Sequence, residues 1–368
     1  MDGKWDDPEL IHPEVLSFLH SADHVIANVE GALIGRESVS SQGVQQLLHA
    51  MNPAAVRVLD HMHADVWNLC NNHIMDAGEE GIASTLRIAG EHHAVTLGAG
   101  RNLAEAMEPL LLPQAGGIGI FSCGYRRGCK PAGADHAGCL LWNDLDNIQH
   151  VIDRIRRTCR TCIMVCHGGE EFTSLPSPYT RERYHRFLEM GVDILVSHHP
   201  HVPMNYETVG TKTIFYSLGN FIFDTDYQRA QFNTEKGILL RLDIGQDGYR
   251  WIPFGIRIDR ETEHVVPAPL PDIFRDVQDE EYRKLSPLAA KMMVAAYRRQ
   301  QIFLKPQEYG NADEEKWERN FLDPKRSGRV PGEGLDFQVI LPLAAQAQQG
   351  VWKTSRLEDV KQYILRQM

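Results

Sequence analysis

The sequence lacks several features that would assign it to a common class of protein. No stretch of its 368 residues approaches the roughly 18 consecutive apolar residues of a membrane-spanning helix. Lys and Arg number 38 against 49 Asp and Glu, and the net charge of −11 argues against a nucleic-acid-binding protein with a broad basic face. Residues 1–14 are acidic and polar, unlike a secretory signal. The chain as given is therefore expected to be cytoplasmic, with no membrane segment.

Cysteine is also scarce, with seven residues in the whole chain. Cys70, Cys123, Cys162 and Cys166 lie in apolar, strand-like runs, where buried free thiols are expected. Cys159 and Cys162 have the spacing of a metal or redox motif, but no second Cys or His pair follows at the distance of a zinc ribbon. This use of cysteine is typical of a protein in a reducing compartment and not of a protein stabilised by disulfides.

What the sequence does contain is a regular alternation of amphipathic helices and short apolar strands from residue 14 to about 225. Helices are predicted over 13–20, 53–62, 79–90, 144–158 and 179–190, and strands over 24–29, 65–70, 94–97, 117–123, 161–166 and 194–197. Such alternation with short connections indicates an α/β fold around a largely parallel sheet. Functional sites in such folds form where the strands end.

The pattern changes after about residue 212. Strands over 213–217, 237–244 and 249–258 are predicted as an antiparallel continuation of the sheet. Residues 272–303 form a charged, amphipathic helical pattern, 305–335 resemble a loop or linker, and 355–368 predict a last helix. We therefore expect one domain over 1–265 and a helical extension over 266–368.

Metal-type ligands collect at three of the predicted strand ends. The apolar run 193–197 leads into His198, His199 and His201, and neutral imidazole is the commonest nitrogen ligand of protein-bound metals. His199 and His201, on either side of Pro200, could reach one metal ion from a single turn. The other two strand ends supply Asn71, Asn72, His73 and His167. Three strand ends with such ligands predict a metal site far more specifically than any one of them.

The order of these patches resembles the bacterial capsule-synthesis CapA family, also called PgsA, which is associated with poly-γ-glutamate synthesis. The motifs are Asn-Val-Glu-Gly at 28–31, Asn-Asn-His-x-x-Asp-x-Gly at 71–78, Gly-x-Gly-x-Asn-x-x-Glu-Ala at 98–106, His-x-Gly-x-Glu at 167–171, His-His-Pro-His at 198–201 and Tyr-Ser-Leu-Gly-Asn-Phe at 216–221. The resemblance covers roughly residues 20–225. It implies the four-layer sandwich of calcineurin-like metallophosphoesterases, with two packed sheets flanked by helices.

The resemblance also implies a set of metal ligands and a reaction. The metal ligands would be Glu30, Asn72, His167, His199 and His201. Carboxylate, amide and imidazole groups together suit two divalent ions of manganese, iron or zinc. A metal-bound hydroxide would then attack an amide or a phosphoester. His73 would assist the leaving group, Glu171 is a second candidate catalytic residue, and Asp76 and His198 would support the ligands.

Substrate-binding candidates follow from the expected anionic substrate, a polymer such as poly-γ-glutamate or a phosphoester. Arg126 and Arg127 lie in the loop after strand 117–123, and guanidinium groups bind carboxylate or phosphate in a bidentate manner. Asn220 lies in a motif that reads as a turn near the site, where it could reach backbone or ligand. Other proteins of capsule or poly-γ-glutamate synthesis are the expected partners, and no nucleic acid is.

Two departures from the family pattern keep a second function open. The family begins with a strand that ends in Gly-Asp, whereas this chain offers only Asp2, Asp6 and Asp7 near its start. Gly168 stands where the family usually has tryptophan, which predicts more room beside His167. The chain is thus expected to be a metal-dependent hydrolase or, alternatively, a non-catalytic accessory protein of poly-γ-glutamate synthesis or export with an incomplete site. A truncated start would explain the missing strand and would predict a membrane-associated protein.

Overall fold

The computed structural model describes residues 4–35, 49–114, 116–125, 128–229 and 231–285. Its helices are α1 Pro13–His20, α2 Val56–His61, α3 Gly78–Glu91, α4 Leu103–Ala106, α5 Leu145–Arg156, α6 Pro178–Met190 and α7 Asp226–Arg229, with a 3-10 turn at Pro53–Ala55. Its strands are β1 Ile26–Asn28, β2 Ala32–Leu33, β3 Ala50–Met51, β4 Val66–Asn68, β5 Val95–Leu97, β6 Ala99–Gly100, β7 Leu110–Leu112, β8 Ile118–Gly124, β9 Gly138–Cys139, β10 Thr161–His167, β11 Ile194–His198, β12 Tyr206–Val209, β13 Lys212–Phe215, β14 Lys236–Gly245, β15 Gly248–Asp259 and β16 His264–Pro267. The helices and strands predicted before residue 200 are all confirmed within a few residues.

The central element is a six-stranded sheet of order β12-β13-β11-β10-β8-β7. Its four inner strands are parallel, and the two edge strands β12 and β7 run antiparallel to their neighbours. The register places His167 beside His198, so the ends of β10 and β11 lie at the same edge. The largely parallel core expected from the helix–strand alternation is confirmed.

Both faces of this sheet are buried, which explains why its strands are continuously apolar. Because side chains alternate along a strand, Ile163 and Val165 of β10 point to one face and Met164 to the other. Ile163 and Val165 pack with Val66 of β4 and Ile238 of β14. The opposite face packs against α5 and α6, whose apolar sides contain Ile148, Val151, Ile155, Tyr184 and Phe187. Helices thus cover one face and further sheets cover the other.

Two three-stranded sheets form that second layer of strands. One is parallel, in the order β1-β4-β5, and the other is an antiparallel meander of β14, β15 and β16. Helix α1 lies on the meander through Phe18, whose ring stacks on Phe254 at 4.9 Å. The predicted α/β class, with packed sheets flanked by helices, is confirmed.

One part of the strand prediction is wrong. We expected 213–217 to begin an antiparallel continuation, but β13 pairs in parallel with β11 and is antiparallel only to β12. Strands β14 and β15 are antiparallel, as expected, but they belong to a separate sheet. The residues of a strand give no signal for the direction in which it pairs with its neighbour, which depends on the connection between the two strands.

The described residues after β16 pack back onto the sheets. Tyr206 of β12 donates a backbone hydrogen bond to Arg275 and accepts one from Val277, and the Phe274 ring contacts Trp251 of β15. A helix begins at residue 279 and continues to 285, the last residue of the described range. The expected boundary at 265 falls within β16, and the division into two domains stays a prediction. The predicted elements beyond 285 lie outside the described residues.

No helix among the described ranges has both the length and the apolar character that crossing a membrane requires.

Charged side chains on α6 and β12 form a buried network around Glu207, whose side chain is 3% exposed. Arg181 holds both carboxylate oxygens, His185 lies 3.0 Å away and the Tyr216 hydroxyl donates at 2.8 Å. Burial raises the pKa of Glu207, but the hydrogen bonds from His185, Arg181 and Tyr216 outweigh it, so the pKa lies below its usual value. The network joins α6 to the edge of the sheet.

Replacing Glu207 with glutamine should lower the free energy of unfolding at pH 7 by about 3 kcal/mol, because, among the described residues, the partly buried Arg181 then keeps only the exposed Asp279 as a counter-charge. A lowered folded-state pKa stabilises the protein above the unfolded value of about 4.3, and this contribution is lost as the pH falls through the folded value. Urea unfolding of both proteins at pH 7 and below pH 4 measures the difference, which should shrink in acid. A difference that is equal at both pH values would contradict the assignment. Glu189→Gln, at an exposed ion pair, is the control, with an effect under about 0.5 kcal/mol.

Candidate metal centre

The ends of neighbouring parallel strands bring the predicted ligands to one edge of the molecule. Glu30 follows β1, Asn72 follows β4, and His167 is the last residue of β10. His199 directly follows β11. Because β1 and β4 are paired in parallel, as are β10 and β11, each pair delivers its following residues to the same side.

The core of the site is a carboxylate with two imidazoles. One potential ligand atom from each of Glu30, His199 and His201 lies within 4.8 Å of the others. Glu30 Oε1 is buried without a hydrogen-bond partner and lies 3.6 Å from His201 Nε2. Burying an unpaired carboxylate oxygen is costly unless a cation or proton compensates it. The donor set of one carboxylate and two imidazoles suits manganese, iron or zinc.

The orientation of the His201 ring is fixed from behind by Asn220. The amide nitrogen of Asn220 donates to Gln228 and to the carbonyl of Thr234, so its oxygen faces His201 Nδ1 at 3.0 Å. In a neutral ring, Nδ1 carries the proton that Asn220 accepts, and the lone pair of Nε2 then faces Glu30. Two acceptor atoms that face each other indicate a binding place for a cation. A metal-binding histidine is usually supported by a hydrogen bond at the ring nitrogen that does not bind the metal, as Asn220 supports Nδ1 of His201. Contact of Asn220 with a substrate stays a prediction.

His167 and Asn72 form a second pair of candidate ligands. His167 Nε2 and Asn72 Oδ1 are 2.7 Å apart, and the ring centroid of His167 is 5.0 Å from that of His199. His167 Nδ1 is buried without a hydrogen-bond partner. Burial, together with the nearby rings of His199 and His198, lowers the pKa of His167 well below its usual value. The ring is thus neutral at physiological pH, which is the form that binds metal.

His73 lies near Glu30 and is held by Asp76. Its Nδ1 is 2.7 Å from Asp76 Oδ2, and its Nε2 is 4.0 Å from Glu30 Oε1. Burial favours the neutral ring, but the hydrogen bond to Asp76 and the charges of Glu30, Asp76 and Glu171 raise the pKa of His73. Nε2 of His73 faces Glu30, and the supporting role of Asp76 stays a prediction.

The backbone at the two imidazole ligands is held in an uncommon conformation. His199 has a φ of 99° and His201 a φ of 60°, on either side of Pro200. Positive φ at non-glycine residues costs on the order of 1–3 kcal/mol and is concentrated at functional sites. This turn brings one nitrogen of each ring within 4.8 Å of a Glu30 oxygen.

Glu171 lies beside the core group, and its neighbour Glu170 anchors the loop. Glu171 Oε1 is 3.9 Å from His199 Nε2. Glu170 is buried and accepts hydrogen bonds from the Ser177 backbone and hydroxyl and from the Thr180 hydroxyl. Burial raises the pKa of Glu170 against these hydrogen bonds. The catalytic role predicted for Glu171 stays a prediction.

The expectation of more room beside His167 is wrong. A Cβ atom built at Gly168 would lie 2.7 Å from Cζ3 of Trp142 and 3.0 Å from Cβ of Tyr125. Trp142 is 1% exposed, and its indole occupies the space next to the Gly168 backbone. The space is thus filled by an aromatic ring from another segment of the chain.

Other predicted residues are placed apart from the core group or cannot be placed. Asp6 pairs with Arg57 and Asp7 lies 3.3 Å from His264, so neither substitutes for a first-strand ligand. His198 lines the same cavity as His199, and burial lowers its pKa to about 4. Its supporting role stays a prediction. Arg126, Arg127 and Asp2 lie outside the described residues.

Aromatic residues that the sequence patterns did not indicate surround the ligands. The His49 ring packs on His73 at 3.8 Å, and the Tyr125 ring on His199 at 4.5 Å. Phe172 and Phe223 both contact the His201 ring. Glu30, His199 and His201 line a cavity of about 2000 Å³. The spacing of these aromatic residues carries no signal, because packing on a ring is specified only in three dimensions.

Comparison with known proteins gives a consistent family. The family described as bacterial capsule synthesis protein PGA_cap matches residues 4–225. The PGA biosynthesis protein CapA of Bacillus subtilis is 28% identical over 213 residues, covering 57% of this chain and 56% of that protein. The capsule biosynthesis protein CapA of Bacillus anthracis is 27% identical over 231 residues, covering 61% and 56%. This chain thus spans little more than half the length of either relative.

A solved structure of a protein described as a 5′-nucleotidase, from Staphylococcus aureus in complex with alpha-ketoglutarate, is a much weaker match. It has a TM-score of 0.37 and 14% identity, covering 65% of this chain and 44% of that one. A likeness of this size carries no weight for fold or function.

Proposed function

This chain belongs to the bacterial capsule synthesis protein family PGA_cap, and on that premise we propose that it is a metal-dependent hydrolase acting in the synthesis or processing of a capsule polymer. The substrate class is poly-γ-glutamate or a related anionic polymer or ester. The bond cleaved is an amide or a phosphoester.

The observation that carries the proposal is the short distance between Glu30 Oε1 and His201 Nε2. The two acceptor atoms face each other at 3.6 Å in a buried place, with His199 completing the group. A buried site that points several lone pairs at one another is suited to a cation and poorly suited to an apolar ligand. Glu30, His199 and His201 would hold one divalent ion, and Asn72 with His167 would hold a second.

Divalent ions in such a site supply Lewis acidity, which lowers the pKa of water and stabilises charge on the reacting oxygens. His73 would give the leaving group a proton from Nε2, and the 2.7 Å contact between its Nδ1 and Asp76 supports this role. Glu171, whose Oε1 is 3.9 Å from His199 Nε2, would orient an attacking water. The cavity of about 2000 Å³ beside the ligands exceeds what a small ligand needs and gives space for a polymer segment.

Removing and restoring divalent metal should switch the activity off and on. The full chain is stripped with a chelator, reloaded with manganese, desalted and measured by elemental mass spectrometry. We expect two ions per chain, because the ligands form two groups, one of Glu30, His199 and His201 and one of Asn72 and His167. Cleavage of poly-γ-glutamate, followed by polymer length, and of a chromogenic phosphodiester should return only in the reloaded protein.

The outcomes separate the two functions that the sequence leaves open. Two ions per chain with cleavage of either substrate support the hydrolase. Metal bound without cleavage of either substrate would favour the accessory role. A chain that retains no ion after reloading would contradict the proposed centre.

A further inference from the structure

A second cluster of potential metal ligands lies behind the site just described. All seven cysteines are buried and free, as predicted for the four in strand-like runs. The sulfur atoms of Cys70, Cys129 and Cys139 lie within 4.8 Å of one another. Cys70 follows β4, Cys129 follows β8, and Cys139 ends β9, so three separate segments converge on this triangle.

The backbone around the three thiols is tightly fixed. Cys139 donates its N–H to Lys130 and accepts from Ala132, while Cys129 donates to Tyr125. Gly124 keeps the space between the sulfur atoms open, since a Cβ there would lie 2.5 Å from Cys129 Sγ and 2.8 Å from Cys70 Sγ. The segments therefore hold the thiols together in a set geometry.

We propose that Cys70, Cys129 and Cys139 form a binding site for one thiophilic metal ion, best matched by Cu(I). Each thiol would release its proton to solvent on binding, and the single positive charge of the ion would compensate part of the resulting thiolate charge. Three isolated thiols could simply pack as small apolar groups. Convergence of three sulfur atoms from three segments is what distinguishes a ligand set from such packing.

Coordination number selects the ion. Structural zinc sites almost always have four ligands, whereas the described residues place only three sulfur atoms in this group. Soft thiolate ligands favour Cu(I), which accepts three sulfurs. With metal–sulfur bonds of about 2.3 Å, three sulfurs around one ion are about 4.0 Å apart, so a closure of less than about 1 Å suffices.

The thiol triangle and the histidine centre are neighbours but use different residues. Cys139 Sγ lies 3.9 Å from the carbonyl oxygen of Asn71, and Cys70 precedes that residue. Asn71 in turn accepts hydrogen bonds from the backbone of Gly31 and His73. An ion on the thiols would thus brace the loop that carries Asn72. The inference does not depend on the proposed hydrolase.

The test is titration of the full, reduced chain with Cu(I) under argon against a chromogenic Cu(I) chelator. We expect one Cu(I) per chain to be withheld from the chelator, with only sulfur neighbours in X-ray absorption. Cys139→Ser should weaken binding at least about 100-fold, since losing even a group that supports a ligand costs 10–100-fold. Cys129→Ala tests the same site independently if the first variant fails to fold. Circular dichroism verifies that each variant is folded.

Two variants serve as controls. Cys162→Ser changes a buried thiol on β10 outside the triangle, and His199→Ala changes the histidine centre, so both should bind Cu(I) as the wild type does. Failure of the folded wild type to withhold Cu(I) would overturn the proposal. Equal weakening by Cys162→Ser would do the same, and so would retention of zinc in place of Cu(I) by the three thiols.

Discussion

Replacing His199 with alanine should remove an ion from the Glu30 group and lower hydrolysis by at least about a thousandfold. The loss should exceed the roughly 10²–10³-fold decrease in rate that follows removal of a single transition-state hydrogen bond. His199 would hold a metal ion that takes part in the reaction and would not merely stabilise charge. The backbone φ of 99° at this residue changes only if the turn at Pro200 rearranges. We expect the turn to stay as it is, so the fold should persist. Metal content by elemental mass spectrometry and initial rates on both substrates measure the effect.

The matched control is His150→Ala, which removes an exposed imidazole from α5. This variant should keep the metal content and rates of the wild type. Wild-type activity in the folded His199→Ala protein would remove that residue from the centre. A lower melting temperature with unchanged metal content would assign it a structural role.

Replacing Asn72 with alanine should remove one ion of two and lower hydrolysis by about a hundredfold or more. Asn72 Oδ1 lies 2.7 Å from His167 Nε2, so the change deprives the buried His167 of its hydrogen-bond partner as well as the proposed ion of a ligand. The Glu30 group is left intact and should retain its own ion. The stoichiometry of bound manganese should therefore fall by half.

Asn72→Asp separates ligation from loop structure, because it keeps an oxygen at the same position. It should retain both ions, whereas Asn72→Ala should not. Asn143→Ala, in an exposed turn, controls for the loss of a surface amide. Equal metal content in Asn72→Ala and the wild type would exclude Asn72 as a ligand.

The fold was largely predictable because its strands and helices carry strong periodic signals. Strand β10 reads as seven buried residues, and α5 has its apolar residues at helical spacing. The weak points were short or peripheral elements. Strands β7 and β12, of three and four residues, have no pattern that distinguishes them from loops. The direction of β13 depended on a connection and not on its own residues.

The candidate centre could be predicted as a list of residues but not as an arrangement. The sequence places ligands after strands, and parallel pairing then brings them together. It contains nothing to show that Asn220 orients His201, since the two are 19 positions apart and linked only by side chains. The three thiols were missed for the same reason. Cys129 and Cys139 lie outside the motifs, and their meeting with Cys70 depends on how β8 and β9 are placed.

The close contact between Gly168 and Trp142 has a consequence for how this sequence can change. A side chain at 168 would collide with an indole ring that is already in place, so the two positions cannot vary independently. Tryptophan at 168, the residue that the family resemblance leads us to expect there, becomes acceptable only after position 142 has become smaller. A larger residue at 168 alone would overfill the core, and a smaller residue at 142 alone would leave a cavity. Either single change would lower the stability of the protein. The pair therefore forms an epistatic barrier that separates this chain from relatives with the usual motif.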